Sequence, residues 1–463
     1  MARHVEVRPG AYHDSVTLMV ASRAVAEEPG VAAALVAMAT ELNLDLLRGL
    51  GFPPPQAGPN DLVIALDVND AALRPALARV EAELTATGGG GGDLAGQPPP
   101  RTVGSAVRRS GADLVVVSTP GTYAALDAFD ALEAGASVVL FSDNVPVDVE
   151  VRLKDAAAAR DLLVMGPDCG TAVVGGVGLG FANAVRSGPV GLVAASGTGA
   201  QQLMCLLDAA GVGVSHCLGV GGRDLSAAVG ARSTLRALNL LAADPATEMI
   251  VVVSKPPAPE VAERVRAHAA GLSTPVRFAL LGRGQPDLTA AAEDALRALG
   301  VEPPSWPQWP APLRARPGTL RGLFSGGTLC AEAAVVAAEQ LPPSRLVMTD
   351  FGDDEYTRGR AHPMIDPGLR LDALAAAGTD PDVGVVLLDV VLGHGAHPDP
   401  AADLAPAIAA AAVPVVVALV GTAADPQGRD RQAAALQAAG AHVFASNAAA
   451  ARCAAALVGD GAR

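Results

Sequence analysis

The stretch GPVGLVAASGTGAQQ, residues 188–202, decides the fold class. Its first half predicts a buried strand over Val190 to Ala194, and its second half turns through small residues into a helix that begins near Ala200. Ser196 or Thr198 is placed to cap that helix. The free N–H groups and the peptide dipoles of a helix N-terminus stabilise anions, so the stretch predicts a site for a phosphate or a carboxylate. A strand-to-helix turn that only needs small residues is the alternative interpretation.

The composition indicates a globular chain of several domains. Its 463 residues predict roughly three or four domains. Half of the residues are apolar and only 3% are aromatic, which is typical of parallel sheets buried under alanine-rich helices. The formal net charge of −15 argues against nucleic acid as a partner, so a positive pocket for a phosphorylated substrate would have to be made locally.

The cysteines and the apolar stretches bear on the compartment. The five cysteines have no metal-ligand spacing, so we expect free thiols in a reducing cytoplasm. The N-terminus is mixed and charged, and we expect no signal peptide. Residues 187–207 and 404–424 lack charged side chains, but a glycine-rich turn interrupts the first and two prolines interrupt the second. We therefore predict a cytoplasmic protein with no membrane partner.

Strand and helix patterns alternate along most of the chain, which predicts an α/β fold. Residues 188–211 are echoed by residues 318–341, and a repeat with a period of about 130 residues implies two homologous α/β domains. The predicted division is a small N-terminal α/β domain at 1–87, a Gly/Pro linker at 88–101, an α/β unit at 102–187, the two repeat domains at 188–300 and 318–463, and a Pro-rich linker at 301–317.

The turns that follow the predicted strands hold the candidate binding residues. In open α/β sheets, ligands bind at the carboxyl ends of the strands. The phosphate or substrate candidates at such ends are Asp143, Asn144, Ser196, Gly197, Thr198, Gly199, Gly222, Arg223, Ser325, Gly326, Gly327 and Thr328.

The loop from Thr349 to Gly368 is richer in polar groups than a connection requires. Arg360, together with Arg358, offers planar donor forks for a carboxylate or phosphate. Asp353 and Asp354 are candidate ligands for Mg²⁺. An exposed loop whose charges neutralise one another is the alternative interpretation.

Histidines supply the remaining catalytic candidates. His394 and His397 are candidates for general acid/base work, with Asp399 as an orienting partner, although a histidine in such a turn is often only a surface residue. The H-x-x-H spacing lacks a supporting cysteine or glutamate, which argues against zinc. We assign catalytic roles to His397, His362 and Arg360.

Five motifs recur in the order that is found in the FdrA family of succinyl-CoA-synthetase-like proteins. The motifs are SDNVP (142–146), MGPDCGT (165–171), ASGTG (195–199), FGDDEYTRGRAHPMIDP (351–367) and GAHPDP (395–400). From about Ala112 the chain also resembles the α-subunit of succinyl-CoA synthetase, and from Gly318 it resembles the C-terminal ligase domain of the β-subunit.

The resemblance implies a Rossmann-like CoA-binding-type domain at 102–187, two flavodoxin-like ligase domains, and a small N-terminal α/β domain. It also implies that the helices after Ser196 and Ser325 aim their N-termini at a shared phosphoryl group. In the synthetases these helices stabilise a phosphohistidine. Here residues 282–296 stand where that histidine would be, and no histidine occurs between His268 and His362.

Two further departures bear on the activity. The glycine fingerprint for CoA and an ATP-grasp domain are both missing, which argues against CoA as a cofactor. The sequence establishes no cofactor, and Mg²⁺ at Asp353 and Asp354 is the one candidate. The FdrA family is linked to carbamoyl transfer in oxamate and allantoin breakdown, so the resemblance implies a subunit of a carbamoyltransferase that uses carbamoyl phosphate. We expect partner subunits encoded in the same operon, in a hetero-oligomer or homodimer. An NDP-forming acyl-CoA synthetase or acyl-CoA-binding protein whose histidine has moved is one alternative, and a non-catalytic scaffold subunit is another.

Overall fold

The structure is a computed structural model that describes residues 2–13, 15–86, 100–357 and 360–458. The described residues form two compact units. The first comprises those within Met1–Arg101, Ser118–Pro120 and Asp354–Ala361, and the second comprises those within Thr102–Val117, Gly121–Asp353 and His362–Arg463. No helix in the described part of the chain is long and apolar enough to span a bilayer. The predicted linker at 88–101 lies, up to residue 99, outside the described residues.

The first unit is built on a three-stranded antiparallel sheet with the order β1-β3-β2. Helices α1 and α3 supply Leu18, Val25 and Val80 to one core, where they pack with Ile64 of the central strand. Strand side chains alternate between the two faces, so the opposite face forms a second, smaller core around Phe52. The small N-terminal α/β domain is confirmed. Its elements are β1 (Ala2–Arg8), α1 (Ser15–Ala26), β2 (Val31–Met38), α2 (Glu41–Gly49), β3 (Leu62–Val68) and α3 (Leu73–Ala86).

The second unit begins with a short parallel sheet of order β4-β5-β6. A capping box between Thr102 and Ser105 starts its first helix, and Gly111 in the left-handed conformation ends it. The strands alternate with helices, as the Rossmann-like prediction requires. The elements are α4 (Val103–Ser110), β4 (Leu114–Val117), α5 (Gly121–Glu133), β5 (Ser137–Leu140), α6 (Val147–Ala158) and β6 (Val164–Met165).

The first large sheet has the order β12-β11-β9-β10-β7-β8. Strands β9 to β12 are parallel, whereas β7 is antiparallel both to β10 and to its hairpin partner β8. This sheet therefore includes residues on both sides of the predicted boundary at 187. Its elements are β7 (Thr171–Val174), β8 (Val177–Gly180), β9 (Ser187–Ala195), α7 (Gly197–Ala209), β10 (Val214–Gly219), α8 (Arg232–Ala243), β11 (Met249–Ser254), α9 (Pro259–Ala269), β12 (Val276–Leu280) and α10 (Leu288–Ala298).

The second large sheet repeats this plan in the order β13-β18-β17-β16-β14-β15, and only β13 is antiparallel to its neighbour. Every residue of β16 and β17 is buried, as expected for parallel strands covered on both faces. The elements are β13 (Gln308–Trp309), β14 (Thr319–Phe324), α11 (Gly327–Ala337), β15 (Leu346–Asp350), α13 (Gly368–Thr379), β16 (Val383–Val391), α14 (Pro400–Ala410), β17 (Val415–Val420), α15 (Arg429–Ala438), β18 (His442–Phe444) and α16 (Asn447–Leu457). The short helix α12 (Asp354–Thr357) follows β15 in the chain and belongs to the first unit.

Strand order places the two predicted turns at equivalent positions. Strand β9 lies between β10 and β11, and β14 lies between β15 and β16. After β9 the chain forms β10 on one side of it and then β11 on the other side, and after β14 it forms β15 and then β16 in the same way. Each reversal creates a topological switch point. Ligands of open α/β sheets bind in the crevice outside such points. The helices that start there, α7 and α11, are the ones that the repeat predicts.

Candidate functional site

Ser196 connects the starts of α7 and α11. It has extended backbone with φ −165° and ψ 114°, and its Oγ accepts a hydrogen bond of 3.0 Å from the N–H of Gly199, which caps α7. The same hydroxyl donates to Thr328 Oγ1 at 2.7 Å, in the first turn of α11. Both side chains are buried. Helix α7 begins at Gly197, three residues earlier than the sequence predicted, because Ser196 is the cap.

Close approach explains the glycines in both turns. A Cβ on Gly326 would lie 2.8 Å from Thr198 Oγ1, and a Cβ on Gly199 would lie 3.0 Å from Thr328 Cγ2. Real Cβ atoms rarely come so near to another atom, so larger residues would push the two helix starts apart. The N-terminal ends of α7 and α11 are thus in direct contact. Because the first N–H groups of a helix have no intrahelical partner, two sets of donors and two positive dipole ends meet here.

Asp389 of β16 holds the turn that precedes α11. Its carboxylate is fully buried and accepts from the N–H of Ser325 at 2.8 Å and from the N–H of Gly326 at 2.7 Å. Arg370 of α13 supplies the counter-charge at 3.0 Å. Sequence reasoning missed this pair, although a single aspartate within the apolar run VVLLDVVL was a signal that could have found it.

Lys255 and Asp350 flank the first residue of α11. A Cβ on Gly327 would collide with the Asp350 carboxylate and would lie 2.6 Å from Lys255 Nζ. Burial raises the pKa of Asp350 to about 6, and the nearby Lys255 ammonium opposes that rise. Neither residue was among the sequence candidates. Both directly follow or end a strand, Lys255 after β11 and Asp350 in β15, which is the position where ligand residues were expected.

His362 lies beside Asp350. A Cβ on Gly352 would lie 2.9 Å from His362 Nε2 and 3.2 Å from Asp350 Oδ1. Burial, with a smaller contribution from the Arg370 charge, lowers the pKa of His362 to about 4, so the ring is neutral at pH 7. The N–H of Met364 donates to Nδ1 at 3.2 Å. The ring proton of the neutral form is therefore on Nε2, which makes this atom a hydrogen-bond donor.

His397 is buried with both ring nitrogens engaged. Nδ1 accepts from the N–H of Asp399 at 3.0 Å, and Nε2 lies 3.2 Å from Asp403 Oδ2. The Asp399 carboxylate instead accepts from Arg431 and Gln432, both at 2.7 Å. Asp399 therefore contacts this histidine through its backbone N–H, while its carboxylate is turned towards α15.

Arg223 has its partners at the start of α6. It donates to the carbonyl of Val145 at 2.7 Å and to Glu150 Oε2 at 3.0 Å. Glu150 in turn joins the buried Lys154 at 2.7 Å. Val145 directly follows Asp143 and Asn144, which are exposed and leave β5. The structure thus brings Arg223 to the Asp143–Asn144 turn, while its hydrogen bonds in the described part of the chain do not include α7.

The remaining candidates stay predictions. Arg360 is exposed and, like Asp354, lies in the segment that groups with the first unit, whereas Arg358 lies outside the described residues. Among the described residues, no three His, Cys, Asp or Glu side chains form a group that would hold a metal ion. The five cysteines are free thiols, and four of them are buried.

A cavity of about 370 Å³ lies between the turns that follow β10 and β11. The residues that line it are Gly222, Leu225, Ser226, Ala227, Ser254, Lys255, Pro256, Pro257 and Ala258. Lys255 therefore belongs both to this cavity and, through its Nζ, to the start of α11.

Two family models match the chain. The CoA-ligase family matches residues 323–457, and the AllF heavy metal-associated domain family matches residues 1–98. Soft-metal sites commonly use cysteine thiolates, and residues 1–98 contain no cysteine. The second match therefore describes the fold of this segment and brings no thiolate metal site with it.

Three known proteins show how far the similarity extends. YahF of Escherichia coli K12, whose function is uncharacterized, is 38% identical over 444 residues, which cover 86% of each chain. The succinate–CoA ligase [ADP-forming] α-subunit of Aquifex aeolicus is 29% identical over 174 residues, which cover 36% of this chain and 56% of that one. A solved dinucleotide-forming acetyl-coenzyme A synthetase 1 of Ca. Korarchaeum cryptofilum aligns over 74% of this chain and 82% of its own, at 17% identity and a low TM-score of 0.28. On the ordered motifs and the match to YahF along most of both chains, this protein belongs to the FdrA family of succinyl-CoA-synthetase-like proteins.

Proposed function

We propose that this chain is a subunit of a carbamoyltransferase and that it binds the phosphate of carbamoyl phosphate at the paired starts of α7 and α11. The observation that carries the proposal is the 2.7 Å hydrogen bond between Ser196 and Thr328, which joins the two helix N-termini. A phosphate placed there would receive backbone donors from both helices. In a protein of net charge −15, this is the local positive potential that an anionic substrate needs.

The residues around α11 fit the electrostatics of the reaction. When a nitrogen nucleophile attacks the carbonyl carbon of carbamoyl phosphate, a C–N bond forms, the C–O bond to phosphate breaks, and the phosphate leaves with the electron pair. The two helix N-termini and Lys255 would stabilise the leaving phosphate. Asp350 is positioned to accept the proton that the nucleophile loses, which afterwards passes to the phosphate.

This chemistry needs no phosphorylated enzyme residue. Carbamoyl phosphate already contains an activated mixed anhydride, so the protein has to position it beside the acceptor and stabilise charge. The lack of a histidine between His268 and His362 in this chain is consistent with this route. Oxamate is the proposed acceptor, and the partners are operon-encoded subunits in a cytoplasmic hetero-oligomer or homodimer.

The test measures phosphate release from carbamoyl phosphate and oxamate by the purified chain, alone and with the neighbouring gene products. The proposal expects release that depends on oxamate and that falls at least tenfold in Gly197→Val. A Cβ at Gly197 would lie 3.4 Å from Thr171 Oγ1, an ordinary contact, so the fold should tolerate this variant. No release in any combination of subunits would refute the proposal.

His362 favours a second candidate, an NDP-forming acyl-CoA ligase with a relocated histidine. Its Nε2 carries the ring proton and lies near Asp350, whose carboxylate would accept that proton when Nε2 attacks a phosphoryl group. Labelling by γ-labelled ATP that is acid-labile, base-stable and absent from His362→Asn would support this candidate. Unlabelled wild-type protein would exclude it in favour of carbamoyl transfer or of the scaffold alternative.

A further inference from the structure

We infer that the cavity between the turns after β10 and β11 binds the second substrate, a small carboxylate, with Lys255 at the junction between this substrate and the phosphate. The inference rests on the proposed function, because it assigns the phosphate to the starts of α7 and α11. It adds a separate subsite for the acceptor and a residue that orients it.

The charge in the cavity wall favours an anionic ligand. Of the nine described residues that line the cavity, Lys255 alone carries a charge. Lys255 forms no ion pair within 4.0 Å in the described part of the chain, although its Nζ lies near the Asp350 carboxylate. A cation that lines a concave and otherwise uncharged surface favours an anionic ligand there.

The size and the polarity of the cavity are compatible with a small carboxylate. A volume of about 370 Å³ lies within the range of small-molecule pockets and leaves room for a small carboxylate. The wall includes Ser226 and Ser254 together with Pro256, Pro257 and Ala258 of the turn after β11. Residues of these types can hydrogen-bond a carboxylate and an amide, and they can make apolar contacts with a small planar acceptor.

Lys255 connects the cavity to the proposed phosphate position. Lys255 is one of the residues that line the cavity, and its ammonium group lies near Gly327 of α11. Ser254 ends β11, which is the strand beside β9 at the switch point. An acceptor in the cavity and a phosphate at α11 would thus share one cation, and the acceptor would be held next to the carbonyl carbon that it attacks.

Gly222 provides a selective way to fill the cavity. A Cβ at Gly222 would meet no atom within 4 Å, and its backbone does not need the left-handed conformation. Gly222→Leu should therefore fold and occupy the space of the acceptor. Gly49→Leu is the matched control, because Gly49 also has open space at its Cβ and lies in the first unit. Ala227→Leu is a second variant of the same wall.

The experiment measures, by calorimetry on the full chain, the binding of oxamate, of its uncharged analogue oxamide, and of inorganic phosphate. We expect Gly222→Leu and Ala227→Leu to weaken oxamate binding at least tenfold and to change phosphate binding less than twofold, while Gly49→Leu changes neither. Lys255→Gln should weaken oxamate binding by about tenfold or more and leave oxamide binding unchanged, since a charge-assisted hydrogen bond is lost.

The two proposals fail in different ways. Unchanged oxamate binding in both cavity variants, no oxamate binding by the wild type with phosphate present, or loss of phosphate binding instead of oxamate binding would overturn the acceptor subsite. No phosphate binding by the wild type, together with oxamate binding that is lost in Gly222→Leu, would refute the carbamoyl phosphate site and leave the carboxylate subsite standing.

Discussion

Replacing Thr328 with valine removes the hydroxyl that links α11 to Ser196 while keeping the shape of the side chain. Ser196 retains its bond from the N–H of Gly199, so the cap of α7 stays in place. The variant loses one buried hydrogen bond, which contributes about 1 kcal/mol to stability. Ser196→Ala removes that same bond and also the cap, so we expect a loss of about 2 kcal/mol.

The two substitutions should not be additive. Because each removes the Ser196–Thr328 bond, the double variant should lose about 1 kcal/mol less than the sum of the single variants. Hydrogen exchange of peptides that contain the start of α7 reports this locally, and about 1 kcal/mol corresponds to roughly fivefold faster exchange in Thr328→Val.

A matched control is available in another helix pair. Thr289 Oγ1 and Ser446 Oγ form a buried hydroxyl pair at 2.7 Å between the starts of α10 and α16. Thr289→Val should accelerate exchange at those helices and leave the start of α7 unchanged. Exchange at α7 that is unaffected by Thr328→Val, or additive effects of Ser196→Ala and Thr328→Val, would refute the reasoning that the two helix starts support each other.

Three other predictions concern charge and packing. Asp389→Ala should lower the free energy of unfolding by about 3–5 kcal/mol, because it leaves Arg370 as an uncompensated buried charge and removes the acceptor of the Ser325 and Gly326 N–H groups. The denaturant midpoint of unfolding measures this loss, and an unchanged midpoint would contradict it. Burial raises the pKa of Glu332 to about 7, above its usual value of 4.5. Between these two values the folded state holds a proton that the unfolded state has lost. The free energy of unfolding should therefore fall by up to about 3 kcal/mol as the pH rises from about 4.5 to about 7. Midpoints at pH 5 and pH 8 should differ less in Glu332→Gln than in the wild type, and an equal difference would assign the effect to other groups. Gly326→Val should cost more free energy of phosphate binding than free energy of unfolding, because its side chain would meet Thr198 at the helix start. Equal losses of the two free energies would indicate a purely structural role.

The elements that place the helix starts could be predicted from the sequence. Apolar runs such as Val415–Val420 predicted buried parallel strands, and the echo of residues 188–211 at 318–341 predicted two related domains. The small residues around Ser196 predicted a capped helix start. These features depend on local patterns, which a sequence shows directly.

The partners within the site could not be predicted, because they come together only through tertiary contacts. Lys255 stands about seventy residues before Gly327, and nothing in the turn SKPPAPE indicates that its ammonium reaches α11. Arg223 looked like a phosphate ligand by its place after a strand, yet its hydrogen bonds go to Val145 and Glu150. A turn reveals which residues are available and does not reveal which way they point.

The most direct test of the account is the position of phosphate in crystals of the full chain grown with saturating inorganic phosphate. We predict a phosphate within hydrogen-bond distance of backbone N–H groups in the first turns of α7 and α11, near Thr198 and Gly327, with Lys255 turned towards it. Phosphate bound at Asp143, Asn144 and Arg223, or no phosphate at either helix start, would contradict it.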